Sequence, residues 1–103
     1  MKLTSNELKS KIESGIKMVV KFESSWCGPC KAMKPMFDKA SKQVKEQNSN
    51  VEYYVYDIES DKDFTTSLGI RSIPTIKVFN KGEEVFSKTG VMRTEELVNL
   101  STL

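Results

Sequence analysis

The sequence contains no histidine, only two cysteines and no long run of apolar residues. Its longest apolar runs, such as Met18-Val19-Val20, are far too short to cross a bilayer, and its N-terminal residues lack the apolar core of a signal peptide. We therefore expect a soluble, cytoplasmic protein with no membrane partner. The five glycines and three prolines argue against a fibrous or low-complexity chain.

A strong excess of charge of either sign is also missing. The 16 basic and 14 acidic side chains give a formal net charge of +2 and are scattered along the chain. Because there is no concentrated basic stripe, we expect no nucleic-acid partner. The 103 residues have the size of one domain, which can bury roughly 60 to 70% of the surface that its unfolded chain exposes. We expect residues 1–103 to fold as a single domain and to be monomeric.

The spacing of apolar residues predicts strands that alternate with helices. Strands are expected at residues 1–3, 18–23, 51–58, 75–79 and 84–88, the last two flanking a hairpin turn. Helices are expected from the capping-box residue Thr4 to Gly15, from the cysteines to about Gln47, from Ser60 to Leu68 and from Arg93 or Thr94 onwards. Helices separate the early strands, so these should be largely parallel. We predict an α/β domain with a central mixed sheet of four to five strands and helices on both faces.

Both cysteines lie in the stretch SSWCGPCK, residues 24–31. A purely structural disulfide is disfavoured, because closing a four-residue loop removes only about 2 kcal/mol of unfolded-state entropy, against about 4.7 kcal/mol for a 100-residue loop. A zinc site usually needs four ligands, and this chain offers no other cysteine and no histidine. We therefore expect no metal.

The spacing of the two cysteines suits a redox-active pair. Cys27 and Cys30 lie where a long amphipathic helix is expected to begin, and residues three apart share a face at a helix start, so the two sulfurs can meet. The backbone N–H groups and the dipole at a helix N-terminus favour a thiolate on the first cysteine. Cys27 would then attack a disulfide, and Cys30 would resolve the mixed disulfide.

These residues resemble a known family. The run Trp26-Cys27-Gly28-Pro29-Cys30-Lys31 is similar to the WCGPCK active site of the thioredoxins, and the run from Gly69 to Thr75 is similar to their loop with a cis-proline. Three further positions match the family's kinking proline, hairpin glycine and substrate-groove glycine: Pro35, Gly82 and Gly90. The match in order and spacing covers nearly the whole chain and implies a thioredoxin fold.

The resemblance implies a protein-disulfide oxidoreductase that takes part in cell redox homeostasis. Such a protein reduces disulfide-containing target proteins by dithiol–disulfide exchange, is recharged by thioredoxin reductase, and needs no cofactor beyond its own disulfide. By similarity, Cys27 is the exposed nucleophile and Cys30 the more buried resolving thiol. The resemblance also implies a cis peptide bond before Pro74 and an apolar substrate rim, formed by Trp26, Ile73, Pro74, Gly90 and Val91.

Position 21 departs from the family pattern. Many thioredoxins carry a buried aspartate six residues before the first cysteine, where this chain has Lys21, and Glu23 replaces an aromatic residue that is common two positions later. If Lys21 reaches solvent or pairs with Glu23 or Asp57, the chemistry should be unchanged. If its charge instead stabilises thiolates, it lowers the pKa values of the cysteines and makes the protein a weaker reductant.

Two other functions are also compatible with the sequence. The first is a disulfide oxidant or isomerase with the same fold, which Lys21 favours but the Gly28-Pro29 dipeptide does not, because that dipeptide is usual in strongly reducing members of the family. The second is a non-catalytic binding subunit that uses the thioredoxin groove. A pure binding role should survive the substitution Cys27→Ser.

Overall fold

A five-stranded sheet runs through the centre of the protein. The computed structural model describes residues 2–47 and 49–103, so Met1 of the expected first strand lies outside the described residues. The strands are β1 Lys2–Leu3, β2 Met18–Glu23, β3 Glu52–Asp57, β4 Thr75–Asn80 and β5 Glu83–Thr89. Their order is β1-β3-β2-β4-β5, with both β1 and β2 parallel to β3 and the β2–β4 and β4–β5 pairs antiparallel. The predicted mixed sheet is confirmed.

Helices cover both faces of this sheet, as predicted. They are α1 Ser5–Ser14, α2 Gly28–Glu46, α3 Lys62–Ser67 and α4 Thr94–Asn99, followed by a 3₁₀ turn, Leu100–Thr102. On one face, α2 and α4 pack on a buried cluster that includes Val19, Met33, Phe37, Ile76 and Leu97. On the other face, α1 and α3 pack on a cluster that includes Leu8, Val20, Phe22, Tyr56 and Phe79. The alternation of side chains along β2 therefore assigns its residues to two cores.

Local signals in the sequence define most of the element ends. The Thr4 hydroxyl accepts a hydrogen bond from Glu7 N at 3.1 Å, and Glu7 Oε1 accepts one from Thr4 N at 2.9 Å, which completes the predicted capping box. The hairpin between β4 and β5 turns through Lys81 and Gly82, which both have positive φ angles, 55° and 82°. Two such residues form the turn that suits the twist of a two-residue hairpin. β4 is one residue longer than predicted, and β5 is longer by one residue at each end.

The predicted start of α3 at Ser60 is wrong by one residue. Asp61 is the N-cap, because its Oδ1 accepts a hydrogen bond from Phe64 N at 3.0 Å. The Ser60 hydroxyl instead donates to Asp57 O at 2.8 Å. The hydrogen bond from the Phe64 backbone N–H holds the pKa of the Asp61 carboxyl below its ordinary value.

Tyr53 connects β3 to both helices of one face. Its hydroxyl donates to Leu97 O in α4 at 2.5 Å, and its ring lies 5.6 Å from the ring of Phe37 in α2, centre to centre. The side chain is buried, and this burial raises the pKa of Tyr53 to about 12. The phenol thus stays protonated in the folded protein at pH values where a solvated tyrosine ionises.

We expect Tyr53→Phe to lower the free energy of unfolding by about 1 kcal/mol at pH 7, because one hydrogen bond is lost. The raised pKa of Tyr53 contributes stability that is complete below pH ~10 and is lost as the pH rises through ~12. The variant lacks this loss, so the parent's advantage in free energy of unfolding should fall by roughly 1 to 2 kcal/mol from pH 10 to 12, which closes or reverses the gap between the two proteins. Urea unfolding across this range measures the gap, and a constant or widening gap would contradict the assignment.

Candidate active site

The two cysteines lie where the central strand β2 passes into α2. Cys27 is the N-cap residue of α2, with extended backbone angles of φ −86° and ψ 110°. Its backbone N–H donates to Ser24 O at 3.4 Å, which closes a turn directly after the end of β2. Pro29 occupies the first turn of the helix, where no intrahelical N–H donor is needed. Pro35 lies within α2 without ending it.

Cys27 and Cys30 form a disulfide, with their Cα atoms 5.3 Å apart. This separation falls within the usual range for bridged cysteines. Cys27 is 5% exposed and Cys30 is 1% exposed, so Cys27 is the more accessible of the two, as the resemblance implied. Even Cys27 is largely covered in this oxidised form, however, and only its exposure relative to Cys30 matches the expectation.

The start of α2 provides a favourable field for a thiolate on Cys27. Cys30 N donates to Cys27 Sγ at 3.2 Å, and no acidic residue lies in the first turn of this 19-residue helix. The positive end of the helix dipole and a backbone N–H donor both stabilise negative charge on the sulfur. The glycine and proline between the cysteines, Gly28 and Pro29, are exposed, as is Lys31.

The loop that precedes β4 lies beside the cysteine turn. Phe22 of β2 pairs with Thr75 of β4 at the end of the antiparallel ladder, so the cysteine turn after β2 and the loop before β4 lie at the same end of the sheet. The Ile73–Pro74 peptide bond is cis, which confirms the expectation from the resemblance. Gly90 N donates to Pro74 O at 2.8 Å and so brings the end of β5 to the same place.

Four of the five expected rim residues therefore meet around one loop. Ile73 is half-buried, Pro74 is buried, Gly90 is exposed and Val91 keeps 44% of its surface exposed. Trp26, the fifth, is 66% exposed, and its Nε1 donates to Glu59 Oε1 at 3.1 Å. Sequence reasoning did not identify Glu59, because the two partners are 33 positions apart and no local pattern links them.

Lys21 pairs with Glu23, one of the partners considered for it. The Lys21 side chain is 1% exposed, with its Nζ 2.9 Å from Glu23 Oε1 and 5.1 Å from the centre of the Phe37 ring. The ion pair borders a pocket of about 270 Å³. This pocket is lined by Lys2, Lys21, Glu23, Lys34, Asp38 and Val55. The Glu23 side chain is 20% exposed, so the carboxylate is the member of the pair that is closer to water.

A second open pocket, of about 700 Å³, adjoins Val91 and is lined by Met36, Val91, Arg93, Thr94, Glu95 and Glu96. Within residues 2–47 and 49–103, no group of three or more histidine, cysteine, aspartate or glutamate side chains could hold a metal ion. Among the helices of the same residues, none is long and apolar enough to cross a membrane.

A mixed sheet with helices on both faces and a disulfide at the N-terminus of the helix after its central strand defines a dithiol–disulfide oxidoreductase. The comparison with family models agrees, since the thioredoxin model matches residues 1–102. The chain belongs to the thioredoxin family. As a member, it is a protein-disulfide oxidoreductase that works through its cysteine pair by dithiol–disulfide exchange.

Individual relatives support the same assignment. A thioredoxin of Rickettsia felis is 35% identical over 91 residues, which cover 88% of this chain and 84% of the relative. The thioredoxin Asp f 29 of Aspergillus fumigatus is 32% identical over 80% of this chain and 74% of its own length. Among solved structures, a Plasmodium falciparum thioredoxin has a TM-score of 0.84 at 27% identity, with 98% of this chain and 95% of the other covered.

We expect Glu23→Gln to lower the free energy of unfolding by about 2 to 4 kcal/mol, because it leaves the buried Lys21 ammonium without its partner. Lys21→Met should cost less, since the Glu23 carboxylate that remains is partly exposed to water. The exposed pair Lys34 and Asp38, at 2.8 Å, offers a matched control, and Asp38→Asn should change stability by about 0.5 kcal/mol or less. Urea unfolding measures all three, and a Lys21→Met variant as unstable as Glu23→Gln would contradict this view of the pair.

Proposed function

We propose that Cys27 is the attacking cysteine and Cys30 the resolving one in the reduction of protein disulfides. The position of Cys27 carries this proposal, because its sulfur accepts the Cys30 N–H at the start of α2 and is the less buried of the two. The Cys27 thiolate attacks one sulfur of the target disulfide and releases the other as a thiolate. The Cys30 thiolate then attacks Cys27 Sγ and releases the second target thiolate. The two electrons come from the dithiol, which ends as the disulfide.

The substrate rim is proposed to hold an extended segment of the target protein. Ile73 can offer its backbone groups to such a segment, in the manner of an added strand, and Pro74 fixes the loop beside the sulfurs. Trp26, Gly90 and Val91 lie around it with exposed surface. Main-chain pairing of this kind is indifferent to target sequence, which suits a reductant of many proteins.

The electron donor proposed for this chain is thioredoxin reductase. Members of the family generally accept electrons from that enzyme and pass them to disulfide targets, and the Cys27–Cys30 pair is the redox group here. We also propose that residues 1–103 act as a single domain, as a monomer and in the cytoplasm. The disulfide itself serves in place of a cofactor.

We propose that Lys21 leaves the chemistry of the cysteines largely unchanged. Its charge is balanced by Glu23 at 2.9 Å. Its ammonium lies 5.1 Å from the centre of the Phe37 ring, which belongs to a residue seven positions after Cys30 in α2. An ion pair whose charges cancel exerts a weaker field on the sulfurs than a single charge would. The oxidant or isomerase alternative loses the support that Lys21 gave it.

The redox potential is the deciding measurement for the proposed function. We would equilibrate the reduced protein with an oxidised reference thioredoxin and quantify the four species after acid quenching. A value near −270 mV, about that of thioredoxin, is the expected result. A value at or above about −200 mV would assign the chain to oxidants or isomerases instead. No exchange by the parent, with partner binding kept in Cys27→Ser, would establish a binding subunit.

Lys21→Met tests the proposed neutrality of the ion pair. We expect its potential to stay within about 15 mV of the parent, which corresponds to half a unit in thiol pKa at most. A potential more negative by about 30 mV or more would show that the Lys21 charge does stabilise the thiolates. Lys34→Met, which removes an exposed lysine of the same pocket, is the matched control.

A further inference from the structure

Ser24 is a buried polar residue to which neither the fold nor the exchange reaction assigns a role. Its side chain is 3% exposed, and its hydroxyl has no hydrogen-bond partner within residues 2–47 and 49–103. Only the Tyr56 hydroxyl shares this property among the buried side chains of those residues. Buried hydroxyls in proteins are normally paired, so a donor left free in the oxidised form calls for an explanation.

Ser24 lies against the active-site turn. Its carbonyl accepts the hydrogen bond from Cys27 N, and such a four-residue turn keeps the two Cα atoms within about 7 Å of each other. The last β2–β4 pair is Phe22 with Thr75. Ser24 follows Phe22 by two residues and Ile73 precedes Thr75 by two, so Ser24 and the cis-proline loop lie at the same end of the two strands. The buried residue Ser24 therefore lies at the start of the cysteine turn and at the end of β2 that is next to the cis-proline loop.

The sulfurs change as hydrogen-bond acceptors when the disulfide is reduced. Disulfide sulfur accepts weakly, whereas a thiolate is charged and forms stronger hydrogen bonds. Cys27 Sγ already receives the N–H of Cys30. Cys30 is the more buried sulfur, at 1% exposure, and burial without a donor would disfavour the thiolate that it must form to resolve the mixed disulfide.

We propose that Ser24 is a positioning residue whose hydroxyl donates a hydrogen bond to the Cys30 sulfur once the Cys27–Cys30 bond is broken. In the oxidised protein the hydroxyl is unpaired. Two-electron reduction, or formation of the mixed disulfide on Cys27, frees the Cys30 sulfur as its acceptor. The Cys30 proton leaves to solvent, the Cys30 thiolate attacks Cys27 Sγ, and the target thiolate departs. Ser24 keeps its own proton throughout and stabilises the attacking thiolate.

Ser24→Ala tests the proposal through one equilibrium measurement and one kinetic measurement. The reduced form loses a hydrogen bond and the oxidised form loses none, so the equilibrium constant for reduction by a reference dithiol should fall about 3- to 10-fold. This change corresponds to a potential about 15 to 30 mV more negative. In the reaction of the reduced protein with the aromatic disulfide 5,5′-dithiobis(2-nitrobenzoate), the first thiolate is released by Cys27 attack and the second by Cys30. The second phase should slow 3- to 10-fold and the first should not.

Two control variants separate this role from a merely structural one. Ser25→Ala removes the neighbouring exposed hydroxyl and should change neither readout. Tyr56→Phe removes the other buried, unpaired hydroxyl and should also leave both unchanged. Urea unfolding of oxidised Ser24→Ala should match or exceed the parent's stability, because no hydrogen bond is lost in that form.

The inference rests on the proposed roles of the two cysteines, but the same experiment distinguishes an error in those roles from an error in the role of Ser24. If the parent protein releases only one thiolate, the proposed resolving role of Cys30 is wrong. If the parent releases both and Ser24→Ala matches it in potential and in the second phase, the role of Ser24 alone is overturned. A destabilised oxidised Ser24→Ala variant would likewise overturn it, because the hydroxyl would then have a partner in the disulfide form.

Discussion

The antiparallel pairing of β2 with β4 holds the active site together. The cysteine turn grows from the end of β2 and the cis-proline loop leads into β4, although about fifty positions separate them in the chain. The pairing of Phe22 with Thr75 is what brings the cysteine turn and the cis-proline loop to the same end of the sheet. A slip of one residue would move the loop by about 3.4 Å along the strand and turn every β2 side chain to the opposite core. The active site therefore depends on the β2–β4 register as much as on the sequence motif around the two cysteines.

The same two strands carry the two lysines that are buried among the described residues. Lys21 of β2 is paired with Glu23 at 2.9 Å, and Lys77 of β4 with Glu84 at 2.6 Å and with the Ser87 hydroxyl at 3.2 Å. A buried ammonium without a partner is strongly destabilising. In each pair the carboxylate is the more exposed member, at 20% and 40%, so each lysine extends from the core toward a rim where its partner keeps contact with water.

Much of this structure follows from local chemistry that the sequence displays. The Thr4 and Glu7 capping box, the amphipathic pattern of α2 and the glycine at position 82 are signals within a few residues, and each predicts an element that is present. The two cysteines at the start of α2 predict the redox pair for the same reason. The capping box, α2, the hairpin turn and the cysteine turn each form because nearby side chains favour the local backbone conformation.

What the sequence left open depends on contacts between distant or competing groups. Ser60 and Asp61 are both good capping residues, and only the three-dimensional path of the chain decides which oxygen meets Phe64 N. Lys21 had two carboxylates within reach, because Glu23 and Asp57 are partners in the β2–β3 register. The burial of Ser24 has no local signal in the sequence, because serine is mostly exposed in folded proteins.

The surface position of Trp26 makes its intrinsic fluorescence a probe of the active site. It is the only tryptophan in the chain, stands one residue before Cys27 and is 66% exposed. If a target segment occupies the proposed rim, this indole exchanges water for that segment, and the disulfide begins one residue further along the chain. Its emission therefore reports occupancy and redox state from one position, without a label and without a correction for other indoles.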